Sequence, residues 1–173
     1  MAIVINGSGT VTGLAVGGLP DGTVDSGTLA TNSVDSAELV NGAVDGSHIA
    51  AGETISGVNF KDVGLTTNAI GSIGGGTQDI DLTLGNSVTA TVDTSTTTFT
   101  FSNPTASDEL CVFTLVLTNG GSQTVNFPAA VDWAGGTAPT LTTAGVDILV
   151  FATLDGGTIW HGQTFSLDSK TPS

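Results

Sequence analysis

The chain has 173 residues, of which Gly, Ser and Thr supply 69 and only 18 carry a charge. Sixteen of the charged residues are Asp or Glu, two are lysines (Lys61 and Lys170) and none is Arg, so at a formal charge of −14 the surface repels polyanions and nucleic-acid binding is excluded. With 39% hydrophobic residues and a mean hydropathy of +0.31, the acidity is not that of a disordered tail, and ordered β structure is expected.

The first stretch, MAIVINGSGTVTG, has no basic start and no long apolar run. It predicts neither a secretory signal nor a membrane anchor, so no membrane insertion is expected, and residues 1–13 read as an extended arm. The Asn6-Gly7-Ser8 sequon carries no weight without such a signal.

From residue 14 a period of five begins: Leu14, Leu19, Val24, Leu29, Val34, Leu39, Val44 and Ile49 are aliphatic without a gap. In a helix, five residues rotate the side chain by about 500°, which smears any apolar stripe. In a flat strand an odd spacing sends successive aliphatics to opposite faces. The chain must therefore bend within each repeat, and the intervening Gly, Asp, Ser and Asn residues are turn formers. Two architectures bend that often. A pentapeptide solenoid would have only about two coils here, too few to bury a useful core. An intertwined fibre buries the aliphatics against identical chains, and residues 14–52 are read as such a shaft, with those eight aliphatics as the interface. Asp25, Asp35 and Asp45 follow the aliphatics as solvated turn residues, and no calcium-loop spacing accompanies them. Residues 53–78 lose the period and end in Gly74-Gly75-Gly76, which reads as a linker or neck.

Eight of the nine Phe and Trp residues lie at or beyond Phe99, so the compact core is expected in the second half. Ile80, Leu82 and Leu84, a Gly85-Asn86 turn, then Val88, Ala90 and Val92 predict a hairpin. Thr97, Phe99 and Phe101 predict a third strand. Leu110–Leu117 and Val146–Leu154, apolar on both faces, predict central sandwich strands. Asn119-Gly120 and Asp155-Gly156-Gly157 are turns, the second leading into Thr158–His161. Residues 79–166 thus read as a small β-sandwich or jelly roll, followed by a tail at 167–173. Cys111 is expected to be buried and inert, and one Cys with two isolated histidines, His48 and His161, excludes an intramolecular disulfide and the usual zinc spacings; no metal or cofactor is expected.

No nucleophile motif is present. Paired carboxylates for glycoside hydrolysis would come from Asp132, Asp147 or Asp155, but their neighbours suit sheet ends and turns, and no enzyme activity is expected. Trp133, Trp160 and His161 are instead candidate contacts to a carbohydrate, since aromatics stack on sugars.

The run GLAVGGLPDGTVDSGTLATNSVDSAELVNGAVDGSHIAAG, residues 13 to 52, resembles the repeated shaft segments of fibre proteins in tailed bacteriophages of aquatic bacteria. FTLVLTNGGSQTVNFPAAVDWAGGTAPTLTTAGVDILVFATLDGGTIWHG, residues 113 to 162, is similar to β-domains that close such fibres or other virion surface proteins. The resemblance covers about half of the chain. It implies an all-β virion structural protein made in the host cytoplasm, a homotrimer with its shaft aliphatics on the threefold axis and its C-terminal domains forming a knob. Its partners would be itself, a tail or capsid protein bound through the N-terminal arm, and a host cell-surface glycan. A tail fibre for host attachment is the leading expectation. A capsid decoration, cement or head-fibre protein is the alternative, and a surface polysaccharide hydrolase a distant third. The family's commonest members have a sizeable N-terminal adaptor, whereas only MAIVINGSGTVTG precedes the repeats here.

Overall fold

The computed structural model describes Val44, His48, Ile49 and residues 54–170. The chain divides after Asn59 into two units. In the first, Val44 and Ile49 are exposed on the single chain. Leu14, Leu19, Val24, Leu29, Val34 and Leu39 lie outside the described residues, as do the arm, Asp25, Asp35, Asp45 and the last three residues.

The second unit is all-β. Its strands are β1 (Thr67–Ile73), β2 (Thr77–Asp81), β3 (Ser87–Val92), β4 (Thr97–Ser102), β5 (Ser107–Thr118), β6 (Val125–Asn126), β7 (Val131–Trp133), β8 (Val146–Asp155) and β9 (Trp160–Ser169). They make a six-stranded sheet in the order β1-β3-β5-β8-β9-β7 and a three-stranded sheet in the order β2-β4-β6. Both β1-β3-β5 and β2-β4-β6 are parallel, so the chain alternates between the sheets for three successive coils. Then β8 and β9 continue the larger sheet as an antiparallel hairpin, and β7 closes its edge parallel to β9.

Three expectations are corrected here. Residues 67–78 are not a linker, because β1 forms a ladder with β3 from Thr67 to Ile73 and β2 one with β4. The predicted hairpin across Gly85-Asn86 does not form, since β2 and β3 belong to different sheets. The cause is local: Asp81 Oδ1 accepts hydrogen bonds from Thr83 N (3.0 Å), Thr83 Oγ1 (2.8 Å) and Asn103 Nδ2 (2.9 Å), which ends β2 and starts a 3-10 turn over Leu82–Leu84. Gly85 then passes Thr66 so closely, at φ 140°, that a Cβ would stand 2.2 Å from the Thr66 carbonyl oxygen. Finally, a jelly roll is built of antiparallel pairs, and two sets of parallel coils are not one.

The core lies between the sheets. Ile80 and Phe99 face inward from the smaller sheet, and Val88, Val92, Phe113, Leu115, Leu117, Leu149 and Phe151 from the larger one. Phe101 bridges the two, its ring 4.9 Å from Phe113, 5.0 Å from Phe151 and 5.3 Å from Trp160. Each such aromatic contributes about 1.5–3 kcal/mol by burial, with about 0.5–1.5 kcal/mol more from edge-to-face pairing. Cys111 is buried and unpaired. Strands β5 and β8, expected to be covered on both faces, bury only alternate residues: Val112 is 37% exposed, and Thr114, Val116, Ile148 and Val150 are half-buried on the outer side.

The hydrogen bonds at Asp81, chiefly from Asn103 and then from Thr83, hold its carboxyl below the ordinary value of 3.8. A depressed folded-state pKa contributes stability that is present above the unfolded value and lost as pH falls through the folded one. The carboxyl carbon of Asp81 is therefore expected to titrate below pH 3.8 in a 13C NMR series, and Asn103→Ala should move that midpoint upward. A midpoint at or above 3.8 in the native chain would contradict these contacts.

Candidate functional site

The site is built where the short strand β7 meets β9. Val131 pairs with Trp160, Asp132 with His161 and Trp133 with Gly162. Side chains alternate along a strand, so this register sends Trp160 and Gly162 inward and Asp132 and His161 outward together. Trp160 is only 2% exposed and packs on Phe101 and Phe113, which removes it from the candidate carbohydrate contacts. Its place in the core follows from strand parity: two positions on, Gly162 pairs with Phe151, itself fully buried.

Trp133 is half-buried, its ring edge-on to Phe127 at 5.1 Å and to Phe151 at 5.5 Å. The indole lies flat along β9 because residue 162 is glycine; a Cβ there would stand 2.9 Å from Trp133 Cε3, Trp133 Cζ3 and Val131 Cγ1. After Trp133 the chain turns through Ala134–Gly136, where Gly135 and Gly136 have φ 70° and 71°. Consecutive left-handed residues without side chains leave the edge of the indole uncovered.

The result is an open depression of about 410 Å³ lined by Asp132, Trp133, Gly135, Gly136, His161 and Gln163. A neighbouring one of about 450 Å³ shares Trp133, Gly162 and Gln163 and extends to Thr137, Pro139 and Thr164. A carboxylate, an imidazole and an amide thus line one shallow, open hollow together with an aromatic wall. That combination suits a hydroxyl-rich ligand, which needs several hydrogen-bonding groups and one apolar face. Asp132 was read from the sequence only as a candidate carboxylate for hydrolysis, and Gln163 was not read as a contact at all. Gln163 follows His161 by two residues in a strand, and that parity is the signal that identifies it.

The three carboxylates considered for hydrolysis do not form a pair. Asp147 is fully buried, and its oxygens accept hydrogen bonds from Thr142 N and Thr142 Oγ1, both at 2.7 Å, and from Asp168 N at 3.1 Å. Asp155 accepts from Thr153 Oγ1 (2.8 Å) and Ile159 N (3.0 Å) in the turn between β8 and β9; the Ile159 backbone bond, then Thr153, lowers its pKa from 3.8. Asp147 and Asp155 are structural, and Asp132 alone faces the depression. Among the described residues no three His, Cys, Asp or Glu side chains gather as metal ligands, and no helix is long and apolar enough to cross a membrane.

Compared with protein-family models, curated proteins and solved structures, the chain matches none of them.

Proposed function

We propose that this chain is a virion structural protein of the tailed-bacteriophage fibre type, a homotrimer whose C-terminal β-domain is displayed for contact with the host surface. The observation that carries this reading is the row of eight aliphatics at every fifth position from Leu14 to Ile49, a pattern with no single-chain helix or flat strand to bury it. The arm at residues 1–13 attaches to the particle, residues 14–52 form the spacer, and the β-domain carries the depression at Asp132, Trp133, His161 and Gln163 as its glycan contact. Several tips per fibre and several fibres per particle turn a weak single contact into avid binding.

Full-length protein analysed by light scattering coupled to size exclusion is expected to have three times the 17.1 kDa chain mass and an elongated shape. A compact monomer would overturn the intertwined shaft. With a trimer in hand, particles lacking the protein distinguish the remaining assignments: lost adsorption to host cells identifies a host-attachment fibre, whereas intact adsorption with fragile or undecorated heads identifies the capsid decoration role.

A further inference from the structure

The outer face of the six-stranded sheet carries almost no charge. Its register gives three long rows. One runs Thr67, Ser87, Thr114, Val150, Gln163; the next Ala69, Thr89, Val116, Ile148, Ser166; the third Ser72, Thr91, Thr118, Val146, Ser169. Their partners in the alternation, such as Val88, Leu115 and Leu149, are buried, which fixes the rows on the outside. Thus an apolar centre on β5 and β8 (Val112, Val116, Ile148, Val150) is flanked by hydroxyls. None of the sixteen acidic residues and neither lysine stands in these rows. Carboxylates appear at the margin: Asp93 past the end of β3, accepting from Ser72, Asp108 and Glu109 at the start of β5, Asp155 at the end of β8, Asp168 near the end of β9, paired with Lys170, and Asp132 on the edge strand.

A chain with a formal charge of −14 repels a second copy of itself over most of its surface. This neutral face is where two copies meet without opposing carboxylates, and depletion of charge at an apolar centre with a polar rim is the composition of an interface. Strands β1, β3, β5, β8 and β9, about 4.8 Å apart and about 20 Å long, make roughly 500 Å² in projection, more with side-chain relief, on the order of the 800 Å² each partner gives to a standard interface. Phe165, the extra residue where β9 slips register against β8, adds a 76% exposed aromatic to this strand. The depression at Asp132, His161 and Gln163 opens at the β7–β9 edge of this face, and the three rows hold no cation that would attract an anionic surface.

We infer that the outer face of β1, β3, β5, β8 and the C-terminal half of β9, with the depression left open at the β7 edge, is the surface through which the β-domains of separate copies of this chain pack around their common axis. The inference rests on the trimer reading above and adds to it a head interface distinct from the shaft aliphatics. It leaves the opposite, three-stranded sheet facing solvent, where Asp79 accepts from Thr100 Oγ1 at 2.6 Å and Ser102 Oγ at 2.5 Å.

The test uses full-length protein with one nitroxide label per chain, at Thr89→Cys on the proposed interface or at Thr100→Cys on the opposite sheet; Cys111 is buried and does not compete. Neither substitution touches the core, so folding is preserved, and with one label per chain any dipolar coupling is between chains. Pulsed dipolar spectroscopy is expected to give a short separation for Thr89→Cys, set by facing sheets about 10 Å apart plus the label linkers, and a longer one for Thr100→Cys. A trimeric mass with the order reversed, or with equal separations, overturns this interface and leaves the fibre reading standing. A monomeric mass overturns both.

Discussion

Replacing Phe151 with alanine is expected to destabilise the β-domain by about 3–5 kcal/mol, the range for deleting a fully buried aromatic. Phe151 is 0% exposed and stands at the crossing of the core's aromatic contacts, with ring centroids 4.9 Å from Phe113, 5.0 Å from Phe101, 5.6 Å from Phe127 and 5.5 Å from Trp133. Four neighbours lose a partner at once, and the inner sheet faces cannot close the gap without shifting β8. Against a typical domain stability of about 5–15 kcal/mol, this is a large fraction. For a domain near one hundred residues it corresponds to a fall in Tm of about 15–30 °C. The same substitution also withdraws the support behind the Trp133 indole, so the depression should lose its aromatic wall before the domain unfolds. Urea unfolding followed by tryptophan fluorescence measures both; a loss under about 1 kcal/mol, the range of ordinary surface changes and below, would contradict the observed core.

Asp147→Ala is expected to cost a comparable amount by a different cause. Asp147 occupies an inward position at the start of β8, where alternation would place an apolar residue, and is fully buried. Its carboxylate gathers Thr142 N, Thr142 Oγ1 and Asp168 N, tying the loop before β8 to the end of β9. Removing it leaves three donors unpaired, each costing about 1–3 kcal/mol where water cannot reach, so a loss of about 3–5 kcal/mol is expected. Asp147→Asn should rescue little, because Oδ1 and Oδ2 both accept backbone N–H groups and an amide nitrogen must confront one of them. Urea midpoints of the two variants check this; if Asp147→Asn were as stable as the native chain, the carboxylate would not be the essential acceptor.

The candidate site was partly legible in the sequence. Trp133 and His161 were identifiable as an aromatic and a polar group near strand ends, and both line the depression. Trp160 was not distinguishable from them, because sequence adjacency to His161 says that the two point opposite ways but not which way is out. The parallel pairing of β7 with β9 and the burial of Phe151 opposite Gly162 decide that. Gly135 and Gly136 read only as turn formers; their left-handed conformations, which uncover the indole edge, belong to the folded chain.

By itself the sequence determined that this protein is all-β in its second half, that Thr97–Phe101, Leu110–Leu117 and Val146–Leu154 lie in strands, and that Asp155-Gly156-Gly157 turns one strand back on the next. Those are local properties: alternation, β-branched content and turn chemistry act within a few residues. Which strands pair was settled only in three dimensions. Ile80–Leu84 and Val88–Val92 look like the two arms of a hairpin, yet three hydrogen bonds to Asp81 and the close passage of Gly85 by Thr66 send them into opposite sheets. Each then pairs in parallel with a distant segment, Ile80 with Phe101 and Val88 with Leu115, a register that no local pattern encodes because it is fixed by the shared core of Ile80, Phe99, Val88 and Leu115.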